Sequence, residues 1–310
     1  MNRTISEFMV LVGTFLLLAG WYASGYPAAT PGVPHTFLSG LLAAAVILAN
    51  AVILQLTEDR VLAQVGLFTP AAYIVLASAN PVALWYSPFH AASLLLALSM
   101  AFYLAFCAIR PSMGNLAGAW VTLGGAVLLF PPFFWLTPIY AVSAMVKSEE
   151  KLKFWVASLL ALCLPVGIYL GIMVLRPGSP TPDAFFADLW RGMTNVSHGS
   201  LHFSAATLCR ILLTVLATVL AILWSAGRLD RYKISRSAAV MRIIYLTLSI
   251  SLITLIFLPD SRYPAGLATA LPVSLLLNEY FGVPDRKKGS RILAVILVLI
   301  LIAERIACFV

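Results

Sequence analysis

Between residues 176 and 203 the chain reads RPGSPTPDAFFADLWRGMTNVSHGSLHF, and the polar side chains best equipped for chemistry are gathered there. His198 and His202 stand four apart, a spacing that puts two imidazoles on one helical face and suits a metal ion. Gly199 interrupts that segment and no third ligand stands nearby, so both read as solvated or substrate-facing histidines and no metal is expected. Just before them, Phe185, Phe186, Leu189 and Trp190 alternate with Asp183, Asp188 and Arg191. That order predicts a helix with one apolar face, lying along a membrane interface. Arg210 follows, about a turn and a half inside an apolar run. A charge at that depth either snorkels to the surface, as Glu304 and Arg305 are expected to do, or serves a site. Cys107, Cys163, Cys209 and Cys308 all lie in apolar segments without metal-ligand spacing and read as buried structural thiols.

The surroundings of these residues set the class. Of the 310 residues 61% are hydrophobic and only 10% charged, and the mean hydropathy is +0.96, values of a polytopic membrane protein. Water-soluble enzymes are excluded. The net charge of +8 would suggest nucleic acid in a soluble chain, but here most basic residues fall in short loops between apolar spans, where they orient the protein. No nucleic-acid partner is expected.

The organising stretch is Asn115 to Met145, followed by charges from Lys147 to Lys153. One helix of that length would run about 46 Å against a hydrocarbon core of about 30 Å. Pro131 and Pro132 remove backbone donors and push the preceding residue out of helical geometry, so a hairpin of two short helices is predicted over 115–146. With the hairpin and a cytoplasmic N-terminus, fifteen Lys and Arg fall inside and only Arg176, Arg191 and Arg262 outside; one long helix allows twelve against six at best. The hairpin fits the charge rule better. Its arms are too short to reach the outer surface, which predicts an outward-opening cavity above the tip.

In chain order the spans are expected at about 8–26 (a retained anchor), 36–56, 61–78, 90–109, the two hairpin arms, 154–175, 204–226, 243–258, 265–283 and 292–310. These make an all-α, polytopic transmembrane bundle of about eleven membrane segments, a single domain over 1–310. Thr57 to Arg60 reads as a short inner turn, GRLDRYKISRSAAVMR as a basic inner loop, and Trp85, Tyr86 and His90 as interface anchors. Residues 176–203 form the one long outer loop. No internal repeat, phosphate-binding loop or dinucleotide glycine pattern is present, and the middle of the spans lacks the acidic groups of an ion-coupled transporter.

Two stretches resemble a known family. GAWVTLGGAVLLFPPFFWLTPIYAV and DSRYPAGLATALPVSLLLNEY resemble elements of the multi-pass GT-C glycosyltransferases, which take sugars from polyprenyl-phosphate carriers at the outer membrane face. More narrowly, SPFHAASLLLALSMAFYLAF, LFPPFFW and ALCLPVGIYLGI, over about residues 80–175, are similar to an uncharacterised family of bacterial integral-membrane proteins of unknown function. The GT-C resemblance implies a GT-C-like bundle in the bacterial inner membrane, working in assembly of envelope glycoconjugates, with no cofactor. It carries over at Arg262 and Tyr263, where a guanidinium at the outer mouth would bind a lipid phosphate through charge-assisted hydrogen bonds. Asp260 is the catalytic candidate beside them. Arg191, His198, His202 and Arg210 complete the expected substrate-binding set. The chain departs from the family in its first outer loop, Pro27 to His35, which lacks the acidic general base that GT-C enzymes place there. Two other readings therefore stand beside it: a non-catalytic membrane subunit packed against other membrane proteins, and a transporter.

Overall fold

Proline sterics shape the middle of the chain as its sequence demands. In the computed structural model, which describes residues 37–62, 68–78, 83, 86–108, 112–147, 151–176, 181–195, 205–232, 234–257 and 265–281, the elements are helices and turns, with no strand among the described residues. Helix α1 (Phe37–Thr57) continues directly into a π-turn, Glu58–Leu62. Then follow α2 (Phe68–Ser78), α3 (Pro88–Ala108), α4 (Met113–Leu129), a 3-10 segment (Pro131–Leu136), α5 (Thr137–Lys147), α6 (Lys151–Leu175), α7 (Pro182–Thr194), α8 (Ala205–Ala226), α9 (Ile234–Phe257) and α10 (Gly266–Phe281). Among the described residues four stretches are long and apolar enough to cross a membrane: Leu38–Leu62, Pro88–Ala108, Leu152–Leu175 and Arg236–Phe257. The chain is thus a membrane-embedded helical protein. The spans expected at 8–26 and 292–310 lie outside the described residues.

Ser112 starts α4 by accepting a hydrogen bond from the Asn115 amide at 3.2 Å, and the helix ends at Phe130, held extended before Pro131 at φ −144°, ψ 90°. The chain then reverses. Tyr140 on α5 stacks on Tyr103 of α3 with centroids 4.2 Å apart and meets the edge of Trp120 on α4 at 5.9 Å, so residues on either side of the break stand at one level. Ser99 locks this level by donating to the Ala119 carbonyl at 2.8 Å and sharing a hydrogen bond with the Tyr140 hydroxyl at 3.0 Å. Phe154, at the start of α6, lies 6.0 Å from Phe106 near the end of α3, which returns the chain to the end it left. Helices α4 and α6 approach closely: a Cβ on Gly124 would sit 2.5 Å from the Leu162 carbonyl oxygen. The other side of α6 leaves Leu160, Leu164, Ile168 and Ile172 exposed, as a lipid-facing helix does.

The amphipathic segment is α7, with Pro182 in its first turn and Thr181 capping it. It lies against the tip of the hairpin, where Trp135 Nε1 donates to the Met193 carbonyl at 3.0 Å and Met193 is buried. Where an outward-opening cavity was expected above the tip, α7 packs. Phe186 and Trp190 stay exposed on its other side.

Helix α10 is the buried centre. From Leu267 to Tyr280 every residue but Thr269 is buried, against α2, α8 and α9, and that enclosure takes in Ser274, Asn278 and Glu279 along with the apolar residues. Its start and the end of α2 meet where a Cβ on Gly266 would stand 3.2 Å from the Leu76 carbonyl oxygen.

Four local readings change. Thr57–Arg60 is helical rather than a turn, since nothing in TEDRVL breaks a helix. The basic loop ends early: α9 begins at Ile234, nine residues before the expected 243, because SRSAAVMR holds neither glycine nor proline. His90 is buried rather than interfacial, its Nε2 donating to the Ala83 carbonyl at 2.9 Å while its Nδ1 accepts from the Ser87 amide at 3.1 Å. Cys107 is buried as expected, whereas Cys163 is exposed on the outward side of α6.

Candidate functional site

Of the residues expected to bind substrate, Arg191 is described in full. It is exposed on α7 and pairs with Asp188 at 3.8 Å, both about three-quarters exposed, an arrangement that contributes little. The backbone of Arg210 lies near the start of α8. His198, His202, Asp260, Arg262 and Tyr263 lie outside the described residues. The structure instead draws attention to carboxylates at the opposite end of the bundle, the end bearing Arg60, Arg228 and Arg236.

There the π-turn after α1, the start of α2, the loop before α9 and the end of α10 converge. Glu58 and Glu279 are both fully buried. Asn278 Nδ2 donates to Glu58 Oε1, tying α10 to the π-turn across 220 residues of sequence. Glu279 receives Arg236, whose Nη2 lies 3.0 Å from Oε1 and 2.9 Å from Oε2, and accepts a second hydrogen bond from the Tyr232 hydroxyl at 3.2 Å. The Arg236 guanidinium also sits 4.7 Å over the Tyr232 ring. Burial first, and the Glu279 carboxylate second, push the Tyr232 phenol above its ordinary value, so it stays a donor at neutral pH. At the rim Arg228 lies 3.9 Å over Trp224, which meets Tyr280 edge-on at 6.3 Å.

Charge is unevenly shared. Glu279 has a guanidinium; Glu58 has an amide, with the Thr69 hydroxyl beside it but not in good hydrogen-bond geometry. Glu58 Oε2 and Thr69 Oγ1 are buried and have no hydrogen-bond partner among the described residues. One turn farther along α2, Tyr73 continues the polar line: its hydroxyl accepts from Asn50 Nδ2 at 2.8 Å, and that amide is 3.2 Å from Ser93 Oγ. Buried polar groups inside membrane helices are costly and mark working paths.

This cluster was hidden in the sequence by two readings: Glu58 as part of a short inner turn and Arg236 as a loop charge. The signal that could have found it is that TEDRVL and SRSAAVMR lack helix breakers, so both charges ride on helices that must pack. No group of three or more metal-ligating side chains occurs among the described residues.

Comparison of the chain with protein-family models, with curated proteins and with solved structures gives no match.

Proposed function

We propose that this membrane-embedded chain binds a polyprenyl phosphate or a lipid-linked sugar at its outer face, without an assigned catalytic step. The observation that carries this reading is the arrangement at the end of the bundle opposite the buried carboxylates. Helix α7 lies along the hairpin tip with Phe186 and Trp190 exposed, and α9 packs on the same 3-10 segment. Phe257 ends α9 and Gly266 starts α10 at that end. Exposed aromatic side chains suit an amphiphile that is apolar along its tail, and the guanidinium expected of Arg262 from the sequence would suit an anionic head.

The test measures binding of a polyprenyl phosphate to the purified protein by native mass spectrometry and titration. If Arg262 forks two donors onto the phosphate, Arg262→Lys and Arg262→Ala should both weaken binding about tenfold or more, since a lost charged hydrogen bond costs about 1.5 to 3 kcal/mol. Full binding in Arg262→Lys would show a plain interfacial charge. Unchanged binding in Arg262→Ala and Asp260→Asn together would leave a non-catalytic membrane subunit as the function.

A further inference from the structure

We propose, independently of the phosphate reading, that Glu58 and Glu279 form a proton-binding site holding one exchangeable proton inside the bundle. Two fully buried carboxyl groups, from the turn after α1 and from α10, stand close enough to feel each other's charge, and the guanidinium of Arg236 is seated on Glu279. Arg236 spends its charge on both oxygens of Glu279. Glu58 has no cationic partner among the described residues. A proton on Glu58 Oε2, donated to the adjacent Thr69 Oγ1, supplies both partnerless atoms at once and leaves one negative charge opposite one positive. The other charged or titratable groups at this end include Asp59 and Arg60, which follow Glu58 in the chain, Tyr232 on Glu279, and Arg228, whose charge acts on Tyr232.

Exchange has a route. The Arg236 side chain is 28% exposed while Glu279 is sealed behind it, so water reaches the edge of the cluster there; the proton passes from Glu58 to water and the carboxylate remains. In the other direction Thr69, Tyr73 and Asn50 lead from Glu58 into the bundle. Loss of the proton sets two carboxylates on α10 and the α1 turn against each other, which couples protonation to the seating of the central helix.

The experiment is infrared difference spectroscopy of the full chain in lipid nanodiscs, titrated from about pH 5 to about pH 9. A carboxylic-acid carbonyl band should fade as pH rises and be missing in Glu58→Gln. Glu58→Gln keeps the acceptor for Asn278 and adds a donor for Thr69, so it should fold as well as the wild type and lose the pH-dependence of thermal unfolding. Identical spectra for wild type and Glu58→Gln would overturn the proposal. So would a stabilisation by sodium chloride that is independent of pH and lost in Glu58→Gln, which would assign the site to a metal cation.

Discussion

Arg236 and Glu279 show why a single residue's role cannot be read from its charge alone. Removing the guanidinium leaves a fully buried carboxylate with only Tyr232 and no countercharge, so Arg236→Met should destabilise the protein by about 3 to 5 kcal/mol in denaturant unfolding from micelles. The double variant Arg236→Met/Glu279→Leu should recover most of that loss, because the expense lies in the stranded charge. If the double variant is as unstable as the two single losses added, the pair is not the energetic unit. Tyr232 adds a pH-dependent piece. Its folded phenol is raised, so the stability from its hydrogen bond is complete below the ordinary tyrosine value of about 10 and is lost as pH climbs through the folded value. The wild type should lose stability in that alkaline range, and Tyr232→Phe should lose less.

Among the elements, the hairpin and α7 depend on places where two backbones nearly touch. A methyl on Gly124 would meet the Leu162 carbonyl, a backbone atom that cannot rotate away, so α4 and α6 must separate. Gly124→Ala should destabilise by about 1 to 3 kcal/mol. Gly118→Ala meets only the Phe102 ring, which can shift, and should be milder; equal losses at both positions would mean that the close crossing at Gly124 is not what limits packing. At Gly192 a methyl would lie 2.7 Å from Pro131 Cγ, so Gly192→Ala should loosen α7 from the tip without unfolding the bundle. Faster proteolysis within residues 176–203, at unchanged thermal stability, is the expected result.

For the whole molecule, the placement of basic residues predicts which end faces the cytoplasm. In a background lacking the four native cysteines, cysteines at Ser148 and Ser235 should be shielded from a membrane-impermeant thiol reagent in intact cells, while one at Ser179 should react. Reaction at Ser148 with protection at Ser235 would separate two ends that the hairpin puts on one side. In that orientation the Glu58–Glu279 site would lie in the inner half of the membrane and α7 in the outer, which the same labelling tests.

Length, hydropathy and proline positions were enough to read a membrane-embedded, all-helical chain, the break at Phe130, and an amphipathic helix near 183–193, because each is a local consequence of covalent sterics or of one helix's periodicity. The sequence could not say which helix is enclosed by the others. Nothing local distinguishes LATALPVSLLLNEY from a lipid-facing span, since lipid and protein interior accept the same apolar side chains. Only packing decided that α10 lies at the centre, and with it that Asn278 meets Glu58 and that Arg236 meets Glu279. Those partners are 220 and 43 residues apart, and their pairing follows from burial, which makes an unmatched polar group too costly to leave alone.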